Sequence, residues 1–322
     1  MMRSHQRRQV GFCLVAVCVV GVAAGPAGAA TFSCLNVDFL GSGGALQGLI
    51  ARPGRADNTF WNPSGLAGLE VSRGVAFAGY MDYLAGTRGA TAGYAWSARP
   101  GRGFGAYISY LSAGSIPLST WNDPVGGDES FGYGEVAVGF SGGGAVGRRL
   151  RAGAGLKVDR ENLDDLTTSG AFLDLSASVR LAGSSGASLS PEAYLGAAAR
   201  NITLGKWGTG AETAPVATEF GLAAVLPSGT CAGVSVLAGG EGRREVRVGL
   251  AALLSGEFEA RLGWRRRIGT GSDSAYGLPW QRGLTAGFGV GLGKFWLDYT
   301  YEDASPLDAI HRFGLRAGTR AH

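Results

Sequence analysis

Residues able to do chemistry are scarce in this chain and poorly placed for catalysis. Of its three histidines, His5 falls within the first 29 residues, which leaves His311 and the terminal His322. A Ser/His or Asp/His hydrolase needs an imidazole beside its nucleophile. Outside the first 29 residues there are two cysteines, Cys34 and Cys231, and no Cys/His spacing matches a metal-ligand set. These residue types argue against an enzyme and imply no cofactor. The chain does carry charges of both signs at alternate positions of apolar segments, among them Arg247, Glu259, Arg261, Asp298 and Arg316. Facing the interior of a closed β-structure, they would form a compensating network that fills a lumen. The functional alternative is a permeation path for a polar solute.

The elements that must position these charges are short and alternate with a period of two. In Phe258–Arg266, the residues Phe258, Ala260, Leu262 and Trp264 interleave with Glu259, Arg261, Gly263 and Arg265. In Lys294–Glu302, Phe295, Leu297, Tyr299 and Tyr301 interleave with Trp296, Asp298, Thr300 and Glu302. Each such strand has one lipid-compatible face and one that is not. A half-buried strand of a soluble protein alternates identically. Here, though, the outward candidates are almost wholly Ala, Val, Leu, Phe, Tyr and Trp, which makes a poor water-facing surface. Fourteen segments of this kind follow one another between residues 67 and 322. Long connections at Gly114–Ser130, Leu163–Gly170, Leu204–Pro215, Ile268–Arg282 and Asp303–Ala309 take turns with tight ones at Pro100–Arg102, Leu226–Thr230, Ser255–Glu257 and Gly293–Lys294. The expected fold is therefore all-β, a 14-stranded antiparallel transmembrane barrel with its long loops at one end. Aromatics near strand ends, such as Phe104 and Tyr110, fit interfacial girdles, although β-propensity alone also enriches them.

The first 29 residues read as a signal peptide. Arg3, Arg7 and Arg8 precede an uncharged apolar run, Gly11–Gly25, and Ala27-Gly28-Ala29 supplies a small-x-small cleavage site. Removing those arginines takes Lys plus Arg from 29 to 26 against 25 Asp plus Glu, so the balance is close to neutral. No basic run is interleaved with aromatics, which argues against a nucleic-acid partner. The 57 glycines lie inside patterned strands as well as in turns, so low complexity does not explain them. At inward positions they make room for curvature or for a plug. The compartment expected from these features is the bacterial outer membrane, with its lipid as the first partner.

Residues 30–66 are too irregular for a strand pair and are expected to form a short plug segment. Asn62 followed by Pro63 reads as a helix start, with Asn as the cap and Pro at the first helical position. The run Asn62-Pro63-Ser64-Gly65-Leu66 resembles the Asn-Pro-Ala-Gly-Leu that precedes the first strand in the PorV/PorQ family, relatives of FadL-type barrels. Tyr110–Ile116, Gly155–Lys157, Ala199–Ile202 and His311–Leu315 extend the resemblance along the chain in the right order. The Arg-Gly-Met-Gly run that precedes the family's motif is degraded here to Gly43–Ala51, and the chain ends in Arg320-Ala321-His322 rather than an aromatic. The resemblance implies a plugged 14-stranded barrel acting in transport or in type IX-like protein secretion. Its partners would be exported proteins or secretion components, or, in the FadL-like alternative, hydrophobic small molecules such as long-chain fatty acids.

Two long loops carry apolar candidates for contact with such a ligand or partner: Ile116, Leu118 and Trp121 in one, Tyr276, Leu278 and Trp280 in the other. The competing reading is a lid whose side chains bury one another. Cys34 and Cys231 are placed on the same side of the membrane by this topology, which makes a disulfide an expectation in an oxidising compartment. Two unrelated thiols are the alternative.

Overall fold

The structure is a computed structural model that describes residues 33–35, 37–41, 49–70, 74–83, 86–117, 130–183, 190–208, 214–239, 244–268, 283–304 and 309–318. The expected signal peptide lies outside these residues. Fourteen strands follow in order: β1 (Gly74–Asp82), β2 (Arg88–Arg99), β3 (Arg102–Pro117), β4 (Ser130–Ala145), β5 (Leu150–Leu163), β6 (Leu166–Ala182), β7 (Glu192–Gly208), β8 (Ala217–Val225), β9 (Cys231–Ala238), β10 (Arg244–Ser255), β11 (Phe258–Arg267), β12 (Leu284–Leu292), β13 (Phe295–Asp303) and β14 (Ala309–Gly318). Every strand pairs antiparallel with its sequence neighbours, and β1 pairs with β14 to close the barrel. Closure removes the sheet edges, whose unpaired backbone groups would be very costly in hydrocarbon.

Period two decides which side chains meet lipid. Ile108, Val138, Phe140, Leu156, Val158, Leu222, Val236, Leu262, Phe288, Leu297 and Phe313 all stand exposed on the outer face. Their neighbours Tyr107, Ala137, Lys157, Asp159, Arg261 and Asp298 are buried on the inner one. A soluble protein could not keep so continuous an apolar exterior, whereas a bilayer requires it. Trp96, Phe104 and Phe140 cluster on the outside toward the short-turn end, with ring centroids 5.8 to 6.2 Å apart.

The connections depart from strict long–short alternation in two places. Leu163–Gly170, read as a long connection, is strand except for the turn Asp164–Asp165, where Asp164 takes φ 53°. β5 and β6 simply run on as a long hairpin. At the other end, residues 183–191 join β6 to β7 and are longer than the tight turns beside them. The tightest turns at that end are two-residue hairpins, among them Pro100–Gly101 and Gly293–Lys294, with Gly101 at φ 73° and Gly293 at φ 63°. A side chain in that left-handed conformation would be strained. The expected boundary between residues 66 and 67 falls within a 3₁₀ helix, Pro63–Gly68, so the described part of the plug runs on past it before β1 begins at Gly74.

Two outcomes follow for the folded barrel. Unboiled protein should migrate as a compact band in detergent gels and shift on heating. Leu262→Arg, which sets a guanidinium in lipid near the middle of β11, should lower stability by about 2–4 kcal/mol in reversible urea titration.

Candidate functional site: the plugged lumen

The plug and the inner wall are built for one another. The short helix α1 (Asn58–Trp61) and the 3₁₀ helix Pro63–Gly68 lie inside the barrel, and the latter rests on β3 to β6. The wall is bare where the plug backbone touches it. A side chain at Gly143 would run into Pro63 O, and one at Gly103 into Leu66 O. These inner-face glycines are the close-approach positions that the composition suggested.

Asn62 and Ser64 act as struts. Pro63 does occupy the first helical position, but the Asn62 side chain makes no cap hydrogen bond. Instead, Asn62 Nδ2 donates to Ile50 O at 2.7 Å, and the Ser64 hydroxyl donates to Asn62 Oδ1 at 2.6 Å. Ser64 Oγ also meets Ser178 Oγ at 3.1 Å, and Ser64 N–H donates to Ser176 Oγ at 2.8 Å. Asn62, Ser64 and Leu66 are wholly buried. The motif therefore ties two stretches of plug together and fixes both to β6. The Asn62 side chain is spent instead on the buried Ile50 carbonyl, which would be costly to leave unpaired.

Further contacts distribute the plug around the barrel. Cys34 N–H donates to Glu135 Oε1 on β4 at 2.7 Å, and Arg312 Nε on β14 donates to Asp38 O at 2.7 Å. Thr300 bonds Gly41 O, and Arg52 Nη1 donates to Cys231 Sγ on β9 at 2.8 Å. Phe60 packs against Tyr107 with centroids 4.2 Å apart, while the Arg200 guanidinium lies over Trp61 at 4.7 Å. On the long-loop side, Leu35 and Phe39 fill an apolar nest made by Met81, Leu111, Ala137, Phe172 and Ile310.

The cysteine expectation is corrected here. Cys34 and Cys231 are both free and buried in different clusters. Cys34 sits beside Glu135 in the long-loop half, whereas Cys231 opens β9 at the short-turn end. The plug starts deep in the far half and then descends, so chain order before the first strand does not give depth. Burial and the Glu135 carboxylate push the Cys34 thiol up from its usual range, which leaves it inert. Burial likewise raises the Asp38 carboxyl to about 7, against the pull of Arg312 and the Leu40 amide.

Arg247, Glu259, Arg261, Asp298 and Arg316 all point inward and are joined in ion pairs. Arg261 meets Glu259 at 2.9 Å and Asp298 at 2.6 Å, and Arg316 meets Asp298 at 2.8 Å. Arg247 joins Glu245 at 2.9 Å and Glu219 at 3.5 Å. Arg200, which was not among the sequence candidates for the lumen, and Glu302, already on the inward face of Lys294–Glu302, extend the network. Arg200 pairs with Glu219 at 3.1 Å, and Glu302 pairs with Arg312 at 2.8 Å and with Arg265. The same period-two signal marks them. Elsewhere in the lumen Lys157 pairs with Asp174 at 2.8 Å and bonds Asn201, whose φ of 60° belongs to a bulge in β7.

Of the loop candidates, Ile116 is a strand residue. β3 continues through Pro117, past an irregularity at Ser112/Gly114, and Ile116 pairs with Phe131. Leu118, Trp121, Tyr276, Leu278 and Trp280 lie outside the described residues.

Comparison with solved structures matches this architecture. A mutant of the TodX monoaromatic hydrocarbon channel superposes with a TM-score of 0.52 at 11% identity, covering 84% of this chain and 96% of that one. A Pseudomonas aeruginosa FadL homologue gives 0.52 at 10% identity, covering 88% and 98%. This chain shares the fold of FadL-type outer-membrane barrels. No protein-family model matches the sequence, and no curated protein does. PorV/PorQ kinship therefore rests on the sequence motifs alone.

Three outcomes test the site. Gly143→Leu should dislodge the plug and raise single-channel conductance in planar bilayers while the heat-modifiable band persists. Asp298→Asn, which strips Arg261 of its 2.6 Å partner, should cost about 3 kcal/mol or more in urea titration. The Asp38 carboxyl has a higher pKa folded than unfolded, so its contribution is present below the unfolded value and is lost as pH rises toward about 7. Hydrogen exchange of residues 37–41, corrected for intrinsic rate, should quicken between about pH 5 and about pH 8. Asp38→Asn should abolish that difference.

Proposed function

We propose that this chain is a non-enzymatic outer-membrane transport barrel that passes hydrophobic small molecules around a movable plug. The apolar nest on the long-loop side carries the reading. An aqueous pore has a polar inner wall, whereas here Met81, Leu111, Ala137, Phe172 and Ile310 face inward and are capped by Leu35 and Phe39. Withdrawal of those two side chains would leave a dry pocket that favours an apolar solute. Tight turns at the other end support a periplasmic address for it, and the long loops outside would deliver the solute. Trp121 and Trp280, with Leu118, Tyr276 and Leu278 beside them in sequence, are the capture candidates. The signal peptide proposed for residues 1–29 supplies the address.

A second reading, a PorV/PorQ-like secretion component that docks exported protein, is favoured by the ion-paired wall from β7 to β14. With Arg247, Glu259, Arg261 and Asp298 all paired, that half of the lumen looks more like a seal than a path.

Uptake of a neutral apolar fluorophore into proteoliposomes separates the two. Under the transport reading, Phe39→Ala with Leu35→Ala speeds uptake, and Trp121→Ala with Trp280→Ala slows it. Uptake no faster than in protein-free liposomes, with the barrel intact, would overturn it in favour of docking.

A further inference from the structure

Arginine gathers at one corner of the short-turn end, on the outside of the barrel, where it has no carboxylate to meet. Arg99 and Arg102 flank the β2–β3 turn, are both exposed, and stand directly opposite one another across the strand pair. Arg148 and Arg149 form the tip of the next turn at that end, between β4 and β5, and are exposed too. The sequence holds no Asp or Glu from residue 89 to 122 or from 136 to 158, so these strands cannot neutralise the charge themselves. Among the described residues no ion pair holds any of the four.

Like charges facing each other across a strand pair are destabilising, yet the backbone here keeps them together. The Ser97 hydroxyl bridges Arg99 O at 3.2 Å and Arg102 O at 3.3 Å. Ala145 N–H donates to Gly101 O at 2.7 Å, which ties this turn to the end of β4. The second tip is held from β6: Arg180 N–H donates to Arg149 O at 2.9 Å, and Arg180 Nη2 donates to Arg148 O at 3.0 Å. Both turns are therefore locked to the wall.

Their depth is marked by aromatic rings. The next outward pair along β2 and β3 is Trp96 and Phe104, which cluster with Phe140. The Phe104 ring lies over Gly142 of β4, where a side chain would meet it at 3.1 Å. Gly144, the β4 partner of Arg102, is different: a side chain there would meet nothing within 4 Å. Such rings sit at the level of lipid headgroups. The arginines thus stand at headgroup level beside a notch of bare backbone.

We infer that this corner binds an anionic glycerophospholipid, its phosphate on Arg99 and Arg102, its glycerol in the notch at Gly144 and an acyl chain along Phe140 and Leu156. A phosphate presents the forked acceptor that guanidinium suits. A headgroup with net negative charge also answers the surplus at Arg148 and Arg149, which a zwitterionic one would leave. The inference rests on the outer-membrane placement and not on which solute passes, so the uptake assay above tests a separate matter.

Native mass spectrometry of the full chain in detergent, titrated with phosphatidylglycerol or with phosphatidylcholine of the same acyl chains, gives the test. Phosphatidylglycerol should be retained at least about ten-fold more tightly, the factor expected of two arginines beside an anionic headgroup. Arg99→Gln with Arg102→Gln should remove that preference while the heat-modifiable band persists. Arg160→Gln, exposed on the outer face in the long-loop half of β5, should leave it unchanged. Should the first pair disturb its turn, Arg148→Gln with Arg149→Gln should still cut the preference by at least about three-fold. Equal retention of the two lipids by the unaltered chain, assembled variants that keep the full preference, or an equal loss on Arg160→Gln would each overturn the assignment.

Discussion

A bilayer offers backbone N–H and C=O groups no partner, and the whole architecture answers that constraint. Strands can cross only if the first pairs with the last, as β1 does with β14. Once closed, the sheet has two faces with opposite demands. The outer one must be apolar where it meets hydrocarbon, and Ile108, Val138, Leu156, Leu262 and Leu297 make it so. The inner one encloses a space too wide for its own side chains, so something else must fill it. The plug, the ion pairs and the bare glycines of β3, β4 and β7 are three parts of a single solution to that filling problem.

The filling is uneven around the barrel. From β3 to β5 the wall is bare glycine where plug backbone lies on it, and Ser176 and Ser178 of β6 pin Ser64. From β7 to β14 the wall carries its own bulk as arginine–carboxylate pairs. Such pairs repay their desolvation only when the geometry is good and the remaining donors are met. Asp298 shows this, taking Arg261, Arg316 and the Trp296 indole together.

Along the axis the lumen also changes character. The long-loop half holds an apolar nest with a plug phenylalanine in it, and the short-turn half holds a cavity lined by charges of both signs, among them Arg151, Arg180, Glu192 and Glu259. The plug joins the two, because Phe39 belongs to the first and Arg52 to the second.

Much of the fold was legible because a period of two is a local property. Leu262 against Arg261, or Leu297 against Asp298, tells which face is which without knowledge of any neighbour. Strand count and the inward direction of Arg247, Glu259 and Arg316 follow from the same alternation. Connection lengths were less legible, since β-propensity does not mark where a long hairpin such as β5–β6 stops. What no local pattern records is the path of an irregular segment through three dimensions. Cys34 precedes the first strand in sequence, yet it lies in the far half of the barrel from Cys231. Asn62 has the sequence of a helix cap and the role of a strut, because the nearest unmet carbonyl proved to be Ile50. The meeting of Arg151 and Tyr194 needs β5 and β7 at once, two strands that are not neighbours in the sheet. Alternation along each strand fixed the two faces; only closure and the course of the plug decided which residues share the space inside.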